Sequence, residues 1–207
     1  MIKKLDKLVP KPLQHSLSRF SESAIWTFGW KSSWKRARYC LWHAHGAGGD
    51  AHSRTDCEAE LAENAEFRAV FRLWELLKTG PLKGHVLLRA YANSHSYGSE
   101  GYPHRDSEDS RNYWTTVYFA HRDWHYSWGG ELVFFNQQYS EIVQAIIPRP
   151  GRLVIFSGHT PHCARGVSRE CPILRTSIVL KTRKSERRYQ PSSQPRSTRR
   201  LKQSIRG

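Results

Sequence analysis

From residue 85 to residue 181 the chain breaks into short runs rich in β-branched and aromatic residues, each closed by a turn-forming segment. The runs are 85–92, 113–119, 131–135, 141–147, 152–156 and 174–181, and stretches 97–101, 127–130 and 148–151 punctuate them with glycine, serine and proline. Upstream the pattern differs. Thr55 and Glu58 have capping-box spacing, and Leu61, Ala65, Phe67, Val70, Phe71, Trp74 and Leu77 then recur at helical intervals up to about Lys78, where Gly80-Pro81 stops the helix. One apolar face implies packing on a sheet. A helix followed by many short strands predicts a mostly β chain, an antiparallel sandwich or barrel with helices on one side.

The rest of the N-terminal part is less patterned. Residues 1–23 are polar and basic, with Pro10 and Pro12, and read as an irregular lead-in or a short helix. Residues 24–29 and 38–42 read as short strands, and 43–53, rich in glycine and histidine, as a loop. A length of 207 residues suits one domain. We divide it into a support region at 1–84, a core at 85–184 and a tail at 185–207.

The formal net charge of +15 is unevenly spread: residues 181–207 hold ten of the 33 basic residues against one acid, Glu186. The tail has no apolar periodicity and cannot offset its ordering entropy, so disorder is expected. Its charge also permits salt-sensitive attraction to nucleic acid or an acidic membrane, or steering of an acidic substrate. Cys40, Cys57, Cys163 and Cys171 form no CxxC pair, which points away from structural zinc and from a disulfide framework. With no apolar run long enough for a signal peptide or a membrane span, a cytoplasmic location is expected.

His104-Arg105-Asp106 carries the chemistry. In an extended segment residues i and i+2 face one side, so both ligand atoms reach one ion while Arg105 points away. Two imidazoles and a carboxylate hold iron(II) on one face and leave the opposite face open. The third ligand comes from another strand. His162 and His159 both follow the run 152–156, and His162, just ahead of the next strand, is the preferred choice. Arg175 opens the last strand with a planar fork suited to a carboxylate, and Ser177 faces the same way.

These pieces occur in a telling order: GYPHRD, TTVYFAHRDW, GGELVFF, IIPRPGRLVIFSG, PHCARGV and RTSIVL. Nearly half the chain, from about residue 87 to 181, thereby resembles the catalytic domain of iron(II)- and 2-oxoglutarate-dependent dioxygenases, in the prolyl 4-hydroxylase-like branch. The resemblance implies a double-stranded β-helix (a cupin-like jelly roll), with residues 26–31 and the helix as its variable support. It implies iron held by His104, Asp106 and His162, and the distal carboxylate of 2-oxoglutarate paired with Arg175. Tyr91 and strand 115–119 would line the co-substrate pocket. Phe119 stands where such hydroxylases often carry a hydrogen-bonding Tyr, which leaves Tyr91 or Ser177 to supply that contact. The implied activity is hydroxylation of an unactivated C–H bond in a small molecule or a peptidyl residue, with release of succinate and carbon dioxide and with ascorbate as a reductant. An aspartate in the triad favours hydroxylation or desaturation over halogenation.

Two other readings share features of this sequence. A nucleic-acid oxidative demethylase uses the same triad and fits the basic charge, although a second Arg on the last strand is not matched well by Lys181 or Arg183. A non-enzymatic cupin-like binding domain is the other. Beyond the triad, His43 and His45 form an HxH pair with no obvious third ligand. His121, Asp123 and His125 read as rim residues around Trp124. Trp30, Lys31, Trp34, Lys35 and Arg36 mix aromatic and basic side chains, as an anionic or nucleotide-like substrate requires, although a solvated basic face accounts for them as well.

Overall fold

Strand patterning from residue 85 onward predicts faces that alternate between two environments, and the fold consists of two antiparallel sheets that supply them. A computed structural model of the protein describes residues 1–33, 35–36, 38–49 and 55–185. In chain order the elements are β1 (Ile2–Leu5), α1 (Lys11–Ser23), β2 (Thr27–Trp30), β3 (Leu41–Ala47), α2 (Glu58–Glu63), α3 (Arg68–Thr79), β4 (His85–His95) and β5 (Tyr113–Phe119). A 3-10 turn (Tyr126–Trp128) precedes β6 (Leu132–Phe135), β7 (Ile142–Ile146), β8 (Leu153–Ser157), β9 (His162–Ala164) and β10 (Arg175–Lys184). A seven-stranded sheet runs β1-β8-β5-β10-β4-β3-β2, and a three-stranded sheet runs β7-β6-β9. Together they form the jelly roll.

The period of two sorts each central strand between two cores. Ile178 and Leu180 of β10, Ala90 and Ala92 of β4, and Leu153 and Ile155 of β8 face the helices, where they meet Leu17 of α1 and Val70, Leu73, Trp74 and Leu77 of α3. Their neighbours Val179, Tyr91, Val154 and Phe156 face inward, toward Leu132 and Phe134 of the small sheet. The inward faces of β4, β5 and β10 therefore enclose a space between the sheets, and polar side chains on them have no outlet except into that space.

Three expectations change. The single helix from 55 to 78 is two. Asn64 ends α2, its Oδ1 accepts the N–H groups of Glu66 (3.1 Å) and Phe67 (3.3 Å), and its Nδ2 donates to Gly46 O at 2.9 Å. This side chain offers the backbone an alternative to the next helical turn. The N-cap of α2 is Cys57 rather than Thr55, and Asp56 Oδ1 accepts the Glu58 N–H at 2.9 Å. Residues 43–47, expected in a loop, belong to β3, which pairs with β4 from Trp42↔Ser94 to Ala47↔Ala90. Finally, the lead-in contains both a helix, α1, and an edge strand, β1, paired with β8 from Ile2↔Phe156 to Leu5↔Leu153. The tail beyond 185 lies outside the described residues.

Arg152 fixes the β1 edge. It is buried and makes a forked pair with Asp6, Nε to Oδ1 at 2.7 Å and Nη2 to Oδ2 at 2.9 Å, while Nη1 donates to Ile147 O at 2.8 Å. The guanidinium holds the Asp6 carboxyl below its usual range. Asp6→Ala strands a buried cation and is expected to lower folding stability by about 1–3 kcal/mol, read from urea melts of variant and parent. Among the described residues no helix is long and apolar enough to cross a membrane.

Candidate metal centre and co-substrate cavity

The segment carrying His104 and Asp106 is held by backbone bonds to the region around His162. His104 N–H donates to His162 O (3.0 Å), and His162 N–H returns the bond to His104 O (2.9 Å). Gly158 O accepts the N–H groups of Asp106 (2.8 Å) and Ser107 (3.1 Å). Residues far apart in the chain thus share a short antiparallel bridge.

The side chains converge accordingly. One ligand atom each from His104, Asp106 and His162 lies within 4.8 Å of the others, the only such cluster of three among the described residues. His104 Nε2 is 3.4 Å from Asp106 Oδ1, and His162 Nε2 is 3.5 Å from Oδ2. Each imidazole Nδ1 sits on a backbone carbonyl, His104 on Tyr102 O (2.6 Å) and His162 on Thr160 O (2.8 Å). With Nδ1 carrying the proton, both Nε2 lone pairs point at the carboxylate, the arrangement a metal-binding His pair requires. Burial pushes His162 down to about 3 against the pull of Asp106, so its ring is neutral. Burial opposes ionisation of Asp106, but Lys181, His162 and His104 outweigh it and hold the carboxyl well below its usual range. Thr115 Oγ1 donates to Asp106 Oδ2 at 2.6 Å, and Lys181 Nζ contacts the same oxygen. His159, the competing choice for third ligand, turns toward Glu108 instead (3.7 Å).

Arg175 lies in the same cavity, a space of about 180 Å³ between the sheets. Its side chain is 1% exposed, its Nε donates to Gly130 O at 2.5 Å, and the Phe119 ring centroid is 5.2 Å from its Cζ. Its Nη2 has no hydrogen-bond partner. Burial lowers its pKa to about 10, which leaves it charged at neutral pH. A buried cation with a free donor is a receptor for a carboxylate. Gly130 admits it: the φ is +73°, and a Cβ there would stand 3.0 Å from Arg175 Cδ and 3.0 Å from the Trp124 ring. Gly130→Ala is therefore expected to cost about 1–3 kcal/mol of stability, checked by melting.

Tyr91 and Ser177 also line the cavity. Ser177 Oγ donates to Asn93 O at 3.5 Å, and the Tyr91 hydroxyl has its pKa raised by burial. His43 is buried, donates from Nδ1 to Asn93 Oδ1 (2.8 Å) and stacks on Trp30, while His45 lies 3.9 Å from Glu60, so the HxH pair is split between two partners. His121 is not at a rim. It is buried, with Nε2 2.5 Å from Pro148 O and its ring 4.4 Å from Trp124. His125, by contrast, is exposed. Of the aromatic and basic run, Trp30 and Lys31 line the cavity, Lys35 and Arg36 are exposed, and Trp34 lies outside the described residues. Sequence reasoning missed Arg89 and Lys181 as cavity residues, whereas Thr115, expected along the pocket, does line it. The signal was present: polar side chains at every second position, Arg89-Tyr91-Asn93-His95 on β4 and Arg175-Ser177 with Lys181 on β10, face one side.

The model of the 2OG-Fe(II) oxygenase superfamily matches residues 90–181. No curated protein matches the sequence. Among solved structures, a 2OG-Fe(II) oxygenase family oxidoreductase from Burkholderia pseudomallei superposes with a TM-score of 0.66 at 15% identity, over 89% of this chain and 85% of its own. A prolyl hydroxylase from Trichoplax adhaerens, in complex with a hypoxia inducible factor oxygen degradation domain peptide fragment, gives 0.61 at 16% identity over 88% and 83%. HygX from Streptomyces hygroscopicus, with nickel and 2-oxoglutarate bound, gives 0.60 at 10% identity over 89% and 83%. These likenesses establish a shared fold. With the triad geometry in place, residues 90–181 are thus similar to the 2OG-Fe(II) oxygenase superfamily, within a jelly-roll fold shared with the prolyl hydroxylase structure.

Proposed function

We propose that the protein is an iron(II)- and 2-oxoglutarate-dependent dioxygenase that hydroxylates an unactivated C–H bond of a small molecule or a peptidyl residue, releasing succinate and carbon dioxide. The observation that carries this reading is the convergence of His104, Asp106 and His162 within 4.8 Å in a cavity that also holds a buried Arg with an unpaired Nη2.

The residues present fit the metal. Two imidazoles with outward Nε2 atoms and one ionised carboxylate form the two-His, one-carboxylate set suited to iron(II) with open positions. When bound, iron(II) and 2-oxoglutarate would supply the electrons that reduce and activate dioxygen. The chain does the rest. Tyr102 O and Thr160 O fix the tautomers of His104 and His162, Thr115 orients Asp106, and Arg175 receives the distal carboxylate of 2-oxoglutarate. Val117, Leu132 and Val179 wall the cavity and exclude water from it. Tyr91 and Ser177 supply polar contacts along its side.

Residues 85–184 serve as the catalytic core and 1–84 as its support, within one domain. The small cavity favours a small-molecule substrate, although the Trichoplax adhaerens relative carries a peptide fragment. Four free thiols fit a reducing cytoplasm, and ascorbate is the expected reductant in sustained turnover. Anaerobic titration with iron(II) and then 2-oxoglutarate, followed by a screen for compounds that accelerate succinate release, tests the reading. Saturable uptake of both and stimulated succinate are expected. A purified protein that binds no iron belongs instead with the non-enzymatic cupin-like domains.

A further inference from the structure

We propose that Arg89 and Lys181 form an oxyanion subsite, so that the substrate of this site carries a carboxylate or phosphate group. The proposal rests on the dioxygenase reading of the cavity and adds to it the chemical class of the substrate. Arg89 on β4 and Lys181 on β10 stand directly opposite each other in the antiparallel register, both inward-facing. Like charges at directly opposed positions repel. Five cations line the cavity, Lys31, Arg89, Arg105, Arg175 and Lys181, against one acid, Asp106. That acid already faces two imidazoles, Thr115 and Lys181.

Arg89 is 7% exposed, its Nε has no hydrogen-bond partner, and among the described residues no carboxylate pairs with it. Its guanidinium carbon is 4.8 Å from the Trp30 ring and 4.8 Å from the Tyr91 ring. Aromatic faces orient a guanidinium but do not replace the hydration it loses on burial, whereas an oxyanion does. Two rings that hold the guanidinium plane leave its edge, the hydrogen-bonding fork, for a ligand. Lys181 stands six positions along the strand from Arg175, about 20 Å of backbone, so the Arg89 end is distinct from the Arg175 end, which takes the co-substrate. The triad lies beside Lys181. An anion held at Arg89 thus brings the remainder of its molecule to the metal.

The full chain is melted anaerobically, with and without iron(II) and 2-oxoglutarate, in chloride buffer and in buffers of equal ionic strength containing acetate or methylphosphonate. We expect one of these anions to raise Tm by several degrees over chloride, the more effective identifying the group as carboxylate or phosphate. Arg89→Met removes that rise and leaves Tm in chloride unchanged or higher, since a repulsive neighbour of Lys181 is gone. Arg175→Met keeps the rise. With 2-oxoglutarate present to occupy Arg175, no anion-specific rise in the parent, or a rise that survives in Arg89→Met, overturns the subsite. A lower Tm of Arg89→Met in chloride also overturns it, making Arg89 a strut between rings. Arg89→Gln, which keeps a polar side chain, repeats the comparison if Arg89→Met does not fold. The visible charge-transfer band formed on adding 2-oxoglutarate to the iron(II) protein must be the same in Arg89→Met and parent, and its loss in the variant alone reassigns Arg89 to the co-substrate. Absence of the band in the parent defeats the dioxygenase reading and leaves the melting comparison to decide the anion site by itself.

Discussion

His104→Ala is expected to yield a folded protein whose succinate release falls at least about 100-fold and whose iron content after anaerobic loading falls with it. The fold survives because the side chain carries little of it. His104 is 25% exposed at its side chain, and its bridge to His162 is made by backbone atoms that alanine keeps. The site does not survive, because a three-ligand set reduced to two loses one facial position and the orientation it imposes on the other two. Asp106→Asn is a harsher test of stability. It removes the charge facing Lys181 inside the protein and leaves a buried ammonium without its counter-ion. Circular dichroism and iron content measured on the same His104→Ala preparation separate loss of metal from loss of fold. Turnover equal to the parent's places the metal elsewhere and removes the basis of the assignment.

The convergence of the triad was more legible in the sequence than the framework that delivers it. His104 and Asp106 lie two apart in an extended segment, and only strand geometry is needed to aim them at one point. Arg175 and Ser177 follow the same rule on β10. The strands from 85 onward were legible because their runs are rich in β-branched and aromatic residues and their turns marked by glycine and proline. What was missed depends on partners distant in sequence. Residues 43–47 contain two His, a Gly and two Ala, a poor strand by propensity, yet they pair with β4 and His43 meets Asn93. β1 reads as a solvated basic lead-in until Asp6 is seen to neutralise Arg152, 146 positions away. β9 is three residues long and leaves no periodicity to detect. The break between α2 and α3 depends on the Asn64 side chain reaching Gly46, a tertiary contact. His121 looks like a surface loop residue, and burial against Trp124 pushes it down to about 4.

Arg175→Met is expected to preserve the fold and to raise the 2-oxoglutarate concentration for half-maximal succinate release by about 30- to 1000-fold, the equivalent of losing roughly 2–4 kcal/mol from a buried charge-assisted pair. Methionine fills much of the volume under Gly130 and beside Phe119, and an apolar replacement of a buried cation is often neutral for stability. The loss therefore falls on the ligand. In the parent, Nη2 is a donor already stripped of water and without a protein partner, so the carboxylate that meets it gains the interaction without displacing one. Arg175→Lys keeps the charge but loses the planar fork and the Nε bond to Gly130 O, and is expected to fall between the two. The direction of the effect separates this residue from the other cations of the cavity. If Arg175→Met leaves the co-substrate dependence unchanged, the distal carboxylate is held by Lys181 or Arg89, and the cavity must be read from its opposite end.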